Sequence, residues 1–238
     1  MKLNYYVAIV DNRELDILKL HLKSLEYYCP NVFDVVVASS FPTGIEGVKE
    51  VIVPIYEQLS TSLLNKAGYD FCNRIHPSIA MGSSDWFVVA HADIIYRSSL
   101  LVHISPYFKE DIGMIGCWPH RATTINRKIY NQCHLGFWPL PNIYMQKDLN
   151  LVGLFERMEE GVLSISSLDI GDALRIEIQG YGYKYERMGD SVGNIYHHIG
   201  ALSGHAKKVL PSEEKAENHI NELEKKKALA ISMFNNFK

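Results

Sequence analysis

His91 and Asp93 stand on either side of Ala92, directly behind Trp86 to Ala90, a run apolar enough for a strand buried on both faces. A carboxylate in that place can hold a hard cation, form a turn or cap the segment RSSLLVHI that follows. An imidazole beside it can accept a hydrogen bond, bind a softer ion or pack against the strand end. Three other groups of residues offer related chemistry. Asp169 and Asp172 in SLDIGDALRIEIQ fall on one face of a helix, where each can take a proton or simply cap the first turn. His197 and His198 follow an apparent strand and precede Ile199-Gly200; as neighbours on extended backbone they point to opposite faces, so one of them at most faces a given ligand. Asp11 and Arg13 follow the first apolar run, as a hydrogen-bond acceptor and a cation or as surface turn residues.

An alternation of strands and helices must place these groups. Tyr5 to Val10 is a short β-rich run, and LDILKLHLKSLEYY after it carries leucine and isoleucine at helical spacing. Phe33 to Ala38 ends in Ser39-Ser40, and Val48 to Val53 ends at Pro54, two more strands closed by breakers. A second helix is predicted over about 60–80, interrupted at His76-Pro77. Ile112 to Trp118 reads as a strand, Ser167 to Gln179 as a helix, and YGYKYERMG as a short strand. Pro119 to Asn142 is rich in aromatics, proline and asparagine and shows no clear period, which predicts irregular binding loops. After Pro211 comes a charged helix with Ala216, Ile220, Leu223, Ala230 and Phe234 along one stripe. The fold class that follows is α/β: a mixed, mainly parallel sheet with helices on both faces and a C-terminal helix. Ligands of such sheets bind outside the carboxyl ends of the strands, where Asp11, Arg13, Ser39, His91 and Asp93 all fall.

Composition narrows the function. With 238 residues, 47% apolar, 21% charged and a formal net charge of -3, the chain suits one large domain and has no global field to recruit nucleic acid. Cys29, Cys72, Cys117 and Cys133 form no CxxC pair, against a structural zinc or a disulfide framework. The start MKLNYYVAIVDN lacks the pattern of a secretory leader, and no window of about 20 apolar residues occurs, so a cytoplasmic protein is expected.

Taken in order over roughly residues 3 to 204, these segments resemble the nucleotide-sugar-dependent glycosyltransferases of the GT-A fold, especially glycosyltransferase family 2. YYVAIVDNR occupies the place of the family's nucleotide-binding first strand and loop, and NKAGYDFCNRIHPSIAMGSSDWFVVAHADIIY matches its run into an acidic DxD-type motif. LNLVGLFERMEEG is similar to the segment before the catalytic helix, LDIGDALR to that helix's start, and YHHIGALSG to a late His-x-Gly-x-x-Ser element. Three positions depart from the pattern: His91 stands for the first acid of DxD, Leu168 for a glutamate, and Gly171 for the second helix aspartate.

The resemblance implies transfer of a sugar from a nucleoside-diphosphate sugar to a hydroxyl of a glycan, polysaccharide or lipid-linked acceptor, with inversion. On that reading Asp169 is the base with Asp172 as its substitute, and Asp11, Arg13, Ser39, His91 and Asp93 line the nucleotide sugar. A divalent metal, Mn²⁺ or Mg²⁺, is implied on Asp93 with one of His197 and His198. Trp118, His120, Arg121, Trp138 and Tyr144 would form the acceptor or sugar pocket, since rings stack on sugar faces; an aromatic plug on the sheet leaves the same pattern. Residues 1–210 form the transferase-like domain, 1–110 its nucleotide half and 111–210 its acceptor half, with 211–238 as a helical extension. That helix is expected to pack on its own domain, to touch the inner face of a membrane peripherally or to meet a second copy. The competing readings are a non-catalytic sugar-nucleotide or glycan-binding module on the same fold and a nucleotidyltransferase; the latter predicts a glycine-rich loop where DNRELD has none.

Overall fold

The computed structural model describes residues 2–9, 12–39, 41–52, 82–116, 121–133, 171–188, 192–199 and, near the end, 221, 224–229, 231–232 and 234–235. The predicted helix over 60–80 lies outside them. β1 (Leu3–Ile9), α1 (Leu15–Tyr28), β2 (Phe33–Ser39), β3 (Lys49–Ile52) and β4 (Trp86–His91) open the chain. β5 (Ile94–Tyr96), α2 (Leu100–Ile104), β6 (Ile112–Gly116), β7 (Ala122–Asn126), α3 (Arg127–Tyr130), α4 (Asp172–Gly180), β8 (Lys184–Arg187), α5 (Val192–Ile195) and β9 (Tyr196–His198) follow. Seven strands make one sheet in the order β3-β2-β1-β4-β7-β6-β8, and β5 pairs with β9 in a separate antiparallel ribbon. β7 alone runs against the rest, being antiparallel to both β4 and β6.

The alternation of the strands divides the core in two. Tyr5, Val7 and Ile9 of β1 and Trp86, Val88 and Ala90 of β4 pack with Leu18 and Leu25 of α1 on one face. Tyr6, Phe87 and Val89 turn to the other, with Leu174 and Ile178 of α4. This is the period of two expected of a strand, and both phases are apolar because both faces are covered. On the second face β6 and α4 touch so closely that a Cβ at Gly113 would lie 2.4 Å from Ile178 Cγ2, so any larger residue there must displace Ile178.

Two readings of the sequence need correction. Residues 122–126, taken as part of an irregular loop, form β7, an interior strand of the sheet; its Thr123 and Thr124 are buried, and hydroxyls in a sheet interior hide the apolar pattern on which strand prediction relies. The helix predicted from Ser167 begins at Asp172, because Gly171 at its N-cap has φ of 88°, a left-handed backbone no helix passes through.

The last segment packs on its own domain. Phe234 is buried with Ile17, Ile95 and Ile199, and Lys227 Nζ lies 3.5 Å from Asp16 Oδ2 on α1. Lys225, Lys226 and Leu229 on this segment are exposed. Among the described residues no helix is long and apolar enough to cross a membrane.

Candidate functional site

β4 delivers His91 to the carboxyl edge of the sheet, and a turn at Ala92-Asp93 reverses the chain into β5. The ribbon β5–β9 then brings the late histidines back to that turn, pairing Ile94 with His198 and Ile95 with His197. The Ile199 amide donates to the Asp93 carbonyl at 2.8 Å, closing the ribbon onto the turn. His198 Nε2 lies 3.1 Å from Asp93 Oδ2 and donates to it. His197, one residue earlier, is on the other face of the ribbon; burial and the neighbouring positive charges of Arg97 and His198 hold its pKa below the ordinary imidazole value. His198 is therefore the histidine that shares a site with Asp93, and His197 is not.

The carboxylate is set up to stay ionised. Burial alone would raise its pKa, but the hydrogen bond from His198 and the charges of His91, His198 and Arg121, in that order, outweigh burial and hold it below the ordinary value. Its Oδ1 is buried and makes no hydrogen bond. His91 Nδ1 comes within 3.9 Å of that oxygen, a contact that is an ion pair only when the imidazole is protonated. Arg121 Nη1 lies 3.1 Å from the same ring nitrogen, and a guanidinium only donates, so Nδ1 accepts and carries no proton.

Beneath the turn runs a buried polar chain that the sequence reading missed. His21 Nδ1 lies 2.7 Å from the Ile94 carbonyl, which only accepts, so Nδ1 is the donor. The ring is fully buried, and burial lowers its pKa to about 4, so it is neutral and Nε2 accepts from the Tyr5 hydroxyl at 2.8 Å. Tyr5 Oη must then accept from Tyr96 Oη at 2.7 Å, and Ser24 Oγ accepts from the Tyr96 amide at 3.0 Å. Each member has one allowed role, which anchors β5 immediately after Asp93. The signal was present in α1, where His21 and Ser24 interrupt a stripe otherwise formed by Ile17, Leu18 and Leu25.

The other expected site residues are placed as follows. Ser39 ends β2 fully buried, with its hydroxyl donating to the Phe41 carbonyl, so it closes its own turn and is not brought to Asp93. Arg121, expected in an acceptor or sugar pocket, lies at the His91-Asp93 turn. Asp11, Asp169, Trp118, His120, Trp138 and Tyr144 lie outside the described residues, and Arg13 and Asp172 are described in their backbone alone. A cavity of about 660 Å³ lies at the opposite end of β4, lined by Ser84, Trp86, Phe108, Arg127 and Tyr183 among others, away from Asp93.

Among the described residues no three His, Cys, Asp or Glu side chains converge as a metal site. Asp93 and His198 do converge, and Asp93 Oδ1 is a buried oxygen in want of a partner. Asp93 Oδ1 is open to a divalent ion that takes its remaining oxygens from a phosphate ligand, and His198 could join it only by giving up the Nε2 proton it donates to Asp93; the two do not build a cage that holds an ion alone.

No protein-family profile matches the sequence, and no curated protein does. Solved structures of similar shape include a mannosyltransferase from Pyrobaculum calidifontis in complex with GDP-mannose and Mn²⁺, with a TM-score of 0.49 and 9% identity over 87% of this chain and 59% of that one. The galactosyltransferase LgtC in complex with donor and acceptor sugar analogues gives 0.44 and 12%, over 73% of this chain and 69% of its own. The glycosyltransferase GlyE of Streptococcus pneumoniae TIGR4 gives 0.43 and 13%, over 81% of this chain and 46% of GlyE. This chain thus spans about half to two thirds of the length of these proteins. With all three TM-scores below 0.5, the functional reading has to rest on the site itself.

Proposed function

We propose that the protein transfers a sugar from a nucleoside-diphosphate sugar to a hydroxyl acceptor, by inversion, in the manner of the family 2 glycosyltransferases its sequence resembles. The observation that carries the reading is the His91-Ala92-Asp93 turn: an ionised carboxylate at the carboxyl edge of a parallel sheet, held by a histidine from the far end of the chain. In the reaction the bond from the anomeric carbon to the diphosphate breaks as the acceptor oxygen bonds to that carbon. The electron pair leaves on the diphosphate, and the acceptor's proton passes to a carboxylate, assigned by resemblance to Asp169 with Asp172 as its substitute. A divalent ion arriving with the nucleotide would neutralise the leaving group, and on this reading Asp93 with His198 would hold it. Trp118, His120 and Trp138 are assigned to the acceptor or sugar pocket, Asp11 and Arg13 to the nucleotide. Residues 1–210 form the catalytic unit on this reading, and the acceptor is a glycan, polysaccharide or lipid-linked sugar. A lipid-linked acceptor would bring the exposed lysines of the last segment to the inner face of a membrane.

The test is hydrolysis and transfer from a panel of UDP-, GDP- and dTDP-sugars, with and without Mn²⁺. Wild type is expected to turn over at least one donor, and Asp169→Asn and Asp93→Asn to lose about a hundredfold or more in kcat. Donor binding without turnover would identify a non-catalytic sugar-nucleotide module instead. Turnover untouched by Asp169→Asn would remove the base assignment.

A further inference from the structure

One feature of the site is left unexplained by the nucleotide-sugar reading: a histidine stands where a first carboxylate is expected, and an arginine is bound to it. Arg121 directly precedes β7, and because β7 is antiparallel its beginning lies at the carboxyl edge, with Ala122 paired to Ala90. The His91 amide donates to the Arg121 carbonyl at 2.8 Å, and Arg121 Nη1 donates to His91 Nδ1 at 3.1 Å, so backbone and side chain are both held. The partner is a ring nitrogen that accepts, not a carboxylate. An aspartate at position 91 would give the guanidinium a second carboxylate besides Asp93; His91 orients the group without adding to that negative charge.

Arg121 Nε is buried and makes no hydrogen bond, and Asp93 Oδ1, whose carboxylate feels the Arg121 charge, is a buried acceptor with none. Each costs free energy until a ligand satisfies it. The ligand that satisfies both presents anionic oxygens next to hydroxyl groups, which is the chemistry of a diphosphate flanked by a ribose or sugar. Resting on the nucleotide-sugar reading, we propose that Arg121 is a built-in cation of the donor site, donating through Nε to a diphosphate oxygen while Asp93 Oδ1 accepts from a neighbouring hydroxyl. The negative charge left when the sugar departs is then met by a fixed guanidinium in addition to any ion that Asp93 and His198 hold, so most of the affinity for the nucleotide survives without a metal.

Calorimetric titration of the full chain with UDP, GDP and dTDP and with the matching nucleosides, in EDTA and in Mn²⁺, tests this. Wild type is expected to bind one diphosphate in EDTA within about tenfold of its affinity in Mn²⁺. Arg121→Gln should lose about 30-fold for the diphosphate and leave the nucleoside unchanged, the scale of a charge-assisted hydrogen bond. A merely structural arginine would weaken both ligands alike, so the diphosphate-to-nucleoside ratio is the deciding readout. Should Arg121→Gln fail to fold by circular dichroism, Arg121→Lys takes its place. It keeps the charge but not the planar fork, and a fall of about fivefold in the same ratio is expected. Loss of wild-type binding in EDTA, or an unchanged ratio in the variant, overturns the inference. If none of the three diphosphates binds wild type under either condition, the nucleotide-sugar reading falls and takes this inference with it.

Discussion

His21 has a measurable consequence of its own, apart from any ligand. Its folded pKa of about 4 lies below the ordinary histidine value of about 6.5, because burial disfavours the imidazolium more than the Ile94 carbonyl and Asp93 favour it. As pH falls below about 6.5 the unfolded chain takes up a proton that the folded chain refuses, so stability is lost from there down to about pH 4. The loss from this group is about 2 kcal/mol by pH 5 and about 3 kcal/mol by pH 4, at 1.36 kcal/mol per pKa unit. Urea unfolding at pH 7 and pH 5 checks it. His21→Gln should be less stable at pH 7, since it disturbs the Tyr5 and Ile94 bonds, but should show a shallower fall between the two pH values. Equal slopes in variant and wild type would show that His21 does not carry the acid sensitivity.

The ribbon β5–β9 is the element on which the site depends, and it is braced from behind. Ile95 and Ile199 pack with Ile17 of α1 and Phe234 of the last segment, and Lys23 Nζ lies 5.3 Å from the centre of the Phe234 ring. Phe234→Ala removes a buried aromatic and should cost about 3 kcal/mol. Hydrogen exchange should quicken at 94–96 and 196–199 beyond the change elsewhere in the sheet, because the lost contacts sit directly under the ribbon. Uniform quickening would place the last segment outside the support of the site. On the opposite face, Gly113→Ala drives a methyl group toward Ile178 and should lower stability by about 1–3 kcal/mol, read as a fall in Tm with the fold retained.

At the scale of the molecule, one sheet joins what the sequence divides into a nucleotide half and an acceptor half. β7 pairs along β4 from Trp86–Asn126 to Ala90–Ala122, so the edge of β4 is covered by a strand from beyond residue 110. A fragment of residues 1–110 would expose that edge, together with Phe87 and Val89, which pack against Ile125, Leu174 and Ile178. The fragment should aggregate or stay molten, and the whole chain should unfold in one transition with fluorescence and circular dichroism coinciding. A soluble, cooperatively folding fragment would show the halves to be independent.

What the sequence determined by itself was set by short-range patterns. YYVAIV, FDVVVA and WFVVA are strands because runs of β-branched and aromatic residues suit a sheet covered on both faces, and the placement of Asp93 at a strand's carboxyl end follows from that. α1 is legible through its 3.6-residue stripe. Other facts depended on tertiary structure, because they concern which distant segments are neighbours. β7 carries two buried threonines and no apolar run, and nothing local states that it runs backwards. Its reversed direction alone brings Arg121 to His91, across 30 residues of sequence, at the edge where Asp93 waits. Choosing His198 over His197 needed the same information: local pattern says that two adjacent histidines face opposite ways, and only the register of β9 on β5 says which one faces the carboxylate.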